Sequence, residues 1–211
     1  METLAHQFDD IDQQREASTL GMWIFLATEV LFFGGLFLGY AVYRTLYPDA
    51  FGEASRHLDA VLGAVNTAVL LCSSLTMAMG VYEAQAGNRK MMNRFIGLTM
   101  FLGAVFLAIK FYEYYEKAHE GLIPGVNFMW EGTDPRHASM FFLFYFIMTG
   151  MHALHMAAGL GLMAALLWLS RKGRFSPAYY TPVELGGLYW HFVDVIWVFL
   201  YPLLYLIERS S

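Results

Sequence analysis

The chain has 211 residues, 57% of them hydrophobic and only 15% charged, with a formal net charge of −5. A water-soluble domain carries about a quarter charged residues and has no need of repeated apolar runs of membrane-spanning length, so an ordinary soluble fold is excluded. The lone cysteine, Cys72, rules out an intrachain disulfide or a thiolate metal cluster, and no glycine-rich phosphate loop or basic, aromatic-interleaved surface points to nucleotides or nucleic acid.

Residues 1–18 are polar and acidic and lack the basic start and short apolar core of a signal peptide. They read as a cytoplasmic amino-terminal tail ahead of a transmembrane domain over 19–211. Five apolar runs follow, at about 20–42, 60–82, 95–115, 139–168 and 185–207. At about 1.5 Å of rise per residue, each crosses a hydrocarbon core of roughly 30 Å as a helix. Barrel strands would be about ten residues long and would alternate in polarity. The expected fold class is therefore all-α: an integral membrane bundle of five transmembrane helices, the fourth long enough to tilt or project from the lipid.

Between the spans, residues 87–94 carry Arg89, Lys90 and Arg94, and residues 170–180 carry Arg171, Lys172 and Arg174. The opposite connections, 43–59 and 116–138, carry Arg44, Arg56, Lys117 and Arg136. The balance places the amino terminus in the cytoplasm and the carboxyl terminus outside. By electrostatics the cluster Arg171, Lys172 and Arg174 is also a candidate for lipid phosphates. The connection 116–138, with Pro124, Gly125, Trp130 and Pro135, reads as folded over the surface. Gly34, Gly35, Gly39, Gly150, Gly159 and Gly161 suit close helix packing, Trp168, Tyr179, Tyr180 and Tyr189 suit the membrane interface, and Cys72 reads as a buried, inert thiol.

Ionisable groups inside the spans need a reason, since an ionised side chain at the centre of a lipid-facing helix costs at least about 2.5–3.5 kcal/mol. Glu29 lies among Phe25, Leu26, Val30 and Phe33 and is expected to be protonated or bonded to a facing helix. Lys110 and Glu113 are one helical turn apart, which favours a mutual ion pair. His152 and His155 are three apart on the fourth span; they tempt a metal or haem assignment, but no further ligand stands at a matching spacing there, and the last span offers only His191. His191 and Asp194 share one side of that span. The expected arrangement is an internal network in which Glu29, His152, His155, His191 and Asp194 satisfy one another between helices, with no metal, cofactor or catalytic residue in this chain.

Five stretches carry a family resemblance: 21–33 with Trp23, Thr28 and Glu29; 66–74 with Asn66, Thr67, Ser73 and Ser74; Tyr112-Glu113-Tyr114; 149–155 with Gly150, His152 and His155; and Tyr189-Trp190-His191-Phe192-Val193-Asp194 leading to Trp197. In this order they resemble subunit III of the haem-copper cytochrome c oxidases, in a short five-span bacterial form. The seven-span mitochondrial type has two further helices that form one arm of a lipid-filled cleft; here that cleft would be completed by another chain or stay open.

The resemblance implies a non-redox subunit of a proton-pumping terminal oxidase that reduces oxygen to water, in the bacterial inner membrane. Haem and copper would sit in subunits I and II, cytochrome c or a quinol-oxidising supercomplex would donate electrons, and this chain would stabilise subunit I, support proton uptake, slow turnover-linked inactivation and bind phospholipid. Glu29 matches the family's buried acid, His152, His155, His191 and Asp194 its other intramembrane polar positions, and Glu184 a family carboxyl that joins Arg171, Lys172 and Arg174 at headgroup level. Subunit III of the quinol oxidases, which tends to have Asp at the Glu29 position, and an accessory protein of nitric oxide reductase share the bundle. Two readings of other classes remain: an independent proton or cation carrier built on Glu29, Lys110, His155 and Asp194, against which stands the lack of inverted repeats, and a membrane cytochrome using His152, His155 and His191.

Overall fold

The structure of the chain, a computed structural model, describes residues 8–177 and 179–206. Five long helices, α1 (Ile11–Leu46), α3 (Ala60–Gln85), α4 (Arg89–His119), α5 (Pro135–Arg171) and α6 (Thr181–Tyr205), contain the first four expected spans and the fifth up to Tyr205, and the described residues form no extended strand. All five are long and apolar enough to cross a membrane. Residues 1–7 of the expected tail, and Ile207 at the end of the fifth expected span, lie outside the described residues.

Helix ends fall where capping chemistry allows, beyond the apolar runs themselves. Asp10 caps α1 by accepting from Gln13 N at 2.7 Å, so the helix starts inside the polar segment read as a tail. Asp59 caps α3 through Val61 N and Leu62 N, Asn88 caps α4, and Asp134 caps α5 with Pro135 at the first helical position. After α3 and α5 the chain reverses through Gly87 and Gly173, at φ 76° and 79°, where a side chain would be strained.

One element departs from the sequence reading. The connection 43–59 contains a short helix, α2 (Pro48–Ser55), which buries Ala50, Phe51 and Ala54. Phe51 meets Tyr40 of α1 and Phe141 of α5, with ring centres 5.5 and 5.6 Å away. The connection 120–134 folds over the same end of the bundle. Thr133 donates to Glu53 at 3.3 Å, Trp130 meets His57 at a tilt and Phe142 edge-on, and Met129 N donates to Gly121 O at 2.7 Å.

At the opposite end the connections 86–88 and 172–177 meet, where Arg89 donates to Phe175 O and Gly87 lies against Pro177. Arg89, Lys90, Arg94, Arg171, Lys172 and Arg174 therefore gather at one end of the molecule, that of the α1 start.

α6 is the hub. Half of its most apolar window is buried, against 11% for α1. Its Trp190 indole fits between Gly103 of α4 and Gly159 of α5, where a β-carbon would come within 2.6 and 3.0 Å of the ring, and its Nε1 donates to Ser73 Oγ of α3 at 3.0 Å. Of the glycines expected to pack, Gly159 does so and Gly39 lies in ordinary contact with Phe144, whereas Gly34, Gly35 and Gly161 have no neighbour within 4 Å. Cys72 is likewise exposed on α3 rather than buried, lying off the face that Leu70, Ser73 and Met77 bury. The outer surface carries Ile24, Leu31, Leu75, Phe101, Phe111 and Leu154, exposed apolar groups that suit lipid or another subunit and not water.

Candidate functional site

The intramembrane polar groups do not form one network. They divide into four sites, three of which bond particular helices together.

In the first, His155 of α5 faces Glu29 of α1, with Nε2 3.1 Å from Oε2. The other ring nitrogen, Nδ1, lies 2.8 Å from Met151 O, which can only accept, so Nδ1 carries a proton. A neutral ring then has a bare Nε2, and its contact with Glu29 requires a further proton between them, on the acid or on the imidazole. The pair is neutral overall and holds one shared proton. Phe33 closes one side of the imidazole, and Tyr189 of α6 donates to His155 O at 3.0 Å. Both side chains stay partly open to the outside of the bundle, 20% for Glu29 and 15% for His155.

In the second, His191 of α6 reaches Ser74 of α3, with Nδ1 2.6 Å from Oγ. Asp194, three residues on, is buried, and its Oδ1 has no partner among the described residues. No carboxylate is bonded to this imidazole among the described residues, as a nucleophilic triad would need, so this is not hydrolase geometry.

The third site is His152, which turns to the bundle core instead of joining His155. It is fully buried, packed between Phe106 and Trp197 at 5.4 and 5.2 Å, and neither ring nitrogen has a partner among the described residues. The two histidines of α5 therefore address different helices. No group of three or more His, Cys, Asp or Glu suited to a metal ion occurs among the described residues.

The fourth site is Lys110, 1% exposed, and Glu113, 2% exposed. Lys110 Nζ donates to Glu113 Oε2 at 3.0 Å, to Tyr145 Oη at 3.1 Å and to Tyr205 Oη at 2.5 Å, which uses all three of its protons. Tyr205 in turn donates to Glu113 Oε1 at 2.7 Å, so both carboxylate oxygens are bonded. The rings of Tyr114, Tyr145 and Trp197 lie 4.6–5.4 Å from the ammonium, favourable for cation–π contact. This knot joins α4, α5 and the far end of α6.

Sequence reasoning paired Lys110 with Glu113 but did not find Ser74, Tyr145 or Tyr205. A hydroxyl inside an apolar run is the signal each leaves.

At the basic end, Lys172 Nζ sits 3.5 Å above the Trp168 ring, and Arg171, Arg174 and Glu184 are exposed. At the opposite end, Asp134 accepts from His137 N at 3.2 Å and lies 2.6 Å from its Nδ1; the side-chain bond, helped by the backbone one, holds the Asp134 carboxyl below the usual carboxylate range.

The family pattern described as cytochrome c oxidase subunit III matches residues 9–208. A protein named cytochrome c oxidase subunit 3 from Synechocystis is 34% identical over 188 residues, covering 89% of this chain and 74% of its own length. One of the same name from Corynebacterium diphtheriae is 35% identical, covering 90% and 88%. A quinol oxidase subunit 3 from Bacillus spizizenii is 29% identical, covering 89% and 85%.

Proposed function

Since the chain belongs to the cytochrome c oxidase subunit III family, we propose that it is the non-redox subunit III of a proton-pumping oxidase that takes electrons from cytochrome c and reduces oxygen to water on haem and copper held by subunits I and II. It is a multi-pass membrane protein and part of an oxidoreductase complex with other subunits. Its own roles are to stabilise subunit I, to support proton uptake into it and to hold phospholipid. The orientation that fits is amino terminus inside and carboxyl terminus outside in a bacterial inner membrane, with Arg171, Lys172 and Arg174 at the level of inner-leaflet phosphates.

The observation that carries this reading is the way the intramembrane imidazoles are engaged. His155 is turned to Glu29, His191 to Ser74, and His152 is wedged between aromatic rings. No two of them are turned to a common centre, as ligation of one iron would need, and the ionisable groups fall into separate sites instead of the continuous path a carrier would use. A glutamate at position 29, where quinol-type members tend to have Asp, favours cytochrome c as donor.

The test is purification through a tag on this chain in mild detergent, with mass spectrometry, an optical spectrum and oxygen uptake. The expected result is a haem-bearing complex that oxidises reduced cytochrome c, whose Soret band stays with the other subunits once this chain is stripped off. Haem that follows this chain, or a chain that isolates alone and moves protons in liposomes, would overturn the proposal. Turnover with a quinol but not with cytochrome c would reassign the donor to that of the Bacillus spizizenii relative's named class.

A further inference from the structure

Five buried side-chain polar atoms have no partner among the described residues, and four of them belong to one layer of the core. They are Nδ1 and Nε2 of His152 on α5, Oδ1 of Asn66 on α3 and Oδ1 of Asp194 on α6; the fifth, Trp130 Nε1, stands in the connection 120–134. The three side chains are 0%, 1% and 4% exposed, so bulk water does not reach them. Phe106 joins the first two: its ring lies 5.4 Å from the His152 ring, and its carbonyl receives Asn66 Nδ2 at 3.4 Å. Trp197 joins the third, since its ring lies 5.2 Å from His152, its Nε1 donates at 3.0 Å to Thr67 beside Asn66, and Asp194 precedes it by one helical turn.

What these atoms need defines the partner that fits them. A neutral imidazole offers one donor and one acceptor whichever nitrogen holds the proton. Asn66 Oδ1 only accepts, because Nδ2 is the atom given to Phe106 O, and Asp194 Oδ1 accepts when ionised. Neither neighbouring ring can serve them, since Phe106 has no polar side-chain atom and the Trp197 N–H is bonded to Thr67. Acceptors therefore outnumber donors, and the partner must be small, must donate more than once and must also accept. A metal cation cannot receive the imidazole N–H, and the Lys110 ammonium, 5.2 Å from the Trp197 ring centre, opposes a second positive charge nearby. Internal water meets every requirement, and it typically makes about three hydrogen bonds to buried polar groups of this kind.

We propose that this layer of the core binds internal water, with His152 at its centre and Asn66 Oδ1 and Asp194 Oδ1 as its other anchors. The site accounts for an imidazole that turns to the core, away from Glu29 and His155. It is a property of the bundle itself and does not depend on the electron donor of the complex.

The test is hydroxyl-radical labelling of the intact complex by X-ray radiolysis, which marks side chains beside bound water even where bulk solvent does not reach. Phe106 and Trp197 should be labelled several-fold more than Phe51 and Phe141, which are comparably buried but pack against each other and Tyr40. His152→Phe should reduce the label on Phe106 and Trp197 toward the level of those two controls. His152→Asn, which keeps a donor and an acceptor, should retain part of it. A cryo-electron-microscopy map of the complex should show density within hydrogen-bond reach of His152 and of at least one of the two oxygens. Label on Phe106 and Trp197 no higher than on Phe51 and Phe141 in the unaltered protein overturns the proposal, whether or not the variants assemble. A map in which both ring nitrogens meet protein groups overturns it as well, and so does label that persists at full strength in His152→Phe.

Discussion

At the scale of single residues, Lys110 offers the sharpest test, because an ammonium so deeply buried is tolerable only while every partner is present. Lys110→Met leaves the Glu113 carboxylate in the core with Tyr205 as its remaining donor, and should cost about 3–5 kcal/mol, as removal of one member of a buried pair does. Lys110→Met combined with Glu113→Gln removes both charges and keeps an acceptor for Tyr205. The double variant should be more stable than Lys110→Met alone, and thermal unfolding of the detergent-solubilised complex would contradict this if the two losses simply add. The shared proton of Glu29 and His155 leads to a second expectation. Glu29→Gln can donate an amide proton to Nε2 in place of the acid, so oxidase assembly should stay largely intact, whereas Glu29→Ala leaves the imidazole unpaired at about 1–3 kcal/mol. Equal complex yield from both would refute this role. The two sites also mark how far residue-level reading reaches. Lys110 and Glu113 are one turn apart on one helix, so their spacing suffices to pair them, but Tyr205 lies 92 residues from Glu113 and His155 lies 126 from Glu29. Such partners depend on how each helix is rotated, and short-range spacing does not specify that.

At the scale of elements, the five spans were legible because a continuous apolar run of about twenty residues has one common solution in lipid. α2 was not, since its eight residues are too few for a periodic signal and its helical form depends on Phe51 docking against α1 and α5. The glycines show the same limit. Composition marks them as possible close contacts, but only rotation decides that Gly103 faces Trp190 while Gly34 faces outward. Gly103→Val should therefore destabilise the bundle by about 1–3 kcal/mol through overpacking, and Gly34→Val should have little effect on the isolated chain; similar melting temperatures for the two would contradict the packing described. The amino-terminal end of α5 should respond to acid. Because the bond from His137 lowers the Asp134 pKa in the folded state, the cap's contribution is present above the ordinary carboxylate range and is lost as pH falls through the lowered value. Hydrogen exchange at His137 and Ala138 should quicken there, and Asp134→Asn, which still caps but cannot titrate, should flatten that pH dependence.

At the scale of the whole molecule, three of the four polar sites bond helices across the bundle, so that none of the five long helices is fixed by apolar packing alone. Ser73 and Ser74 tie α3 to α6, the Lys110 knot ties α4 and α5 to the far end of α6, and the pair of Glu29 with His155 ties α1 to α5. Lipid supplies little hydrophobic drive for helix association, so such bonds and close packing carry much of the specificity. α1 is the least buried of the five, and its polar ties are the shared-proton pair with α5 and the bond from Tyr40 Oη to Leu203 O of α6 at 2.7 Å. If the subunit preserves the catalytic partner as proposed, loosening α1 should shorten working life before it lowers initial rate. Oxygen uptake followed over repeated turnovers should decay fastest with this chain stripped, more slowly with Glu29→Ala, and as in the unaltered complex with Glu29→Gln. Decay curves that coincide with and without the chain would remove the stabilising role, whereas an early loss of rate in Glu29→Ala at unchanged lifetime would place the pair in proton delivery instead.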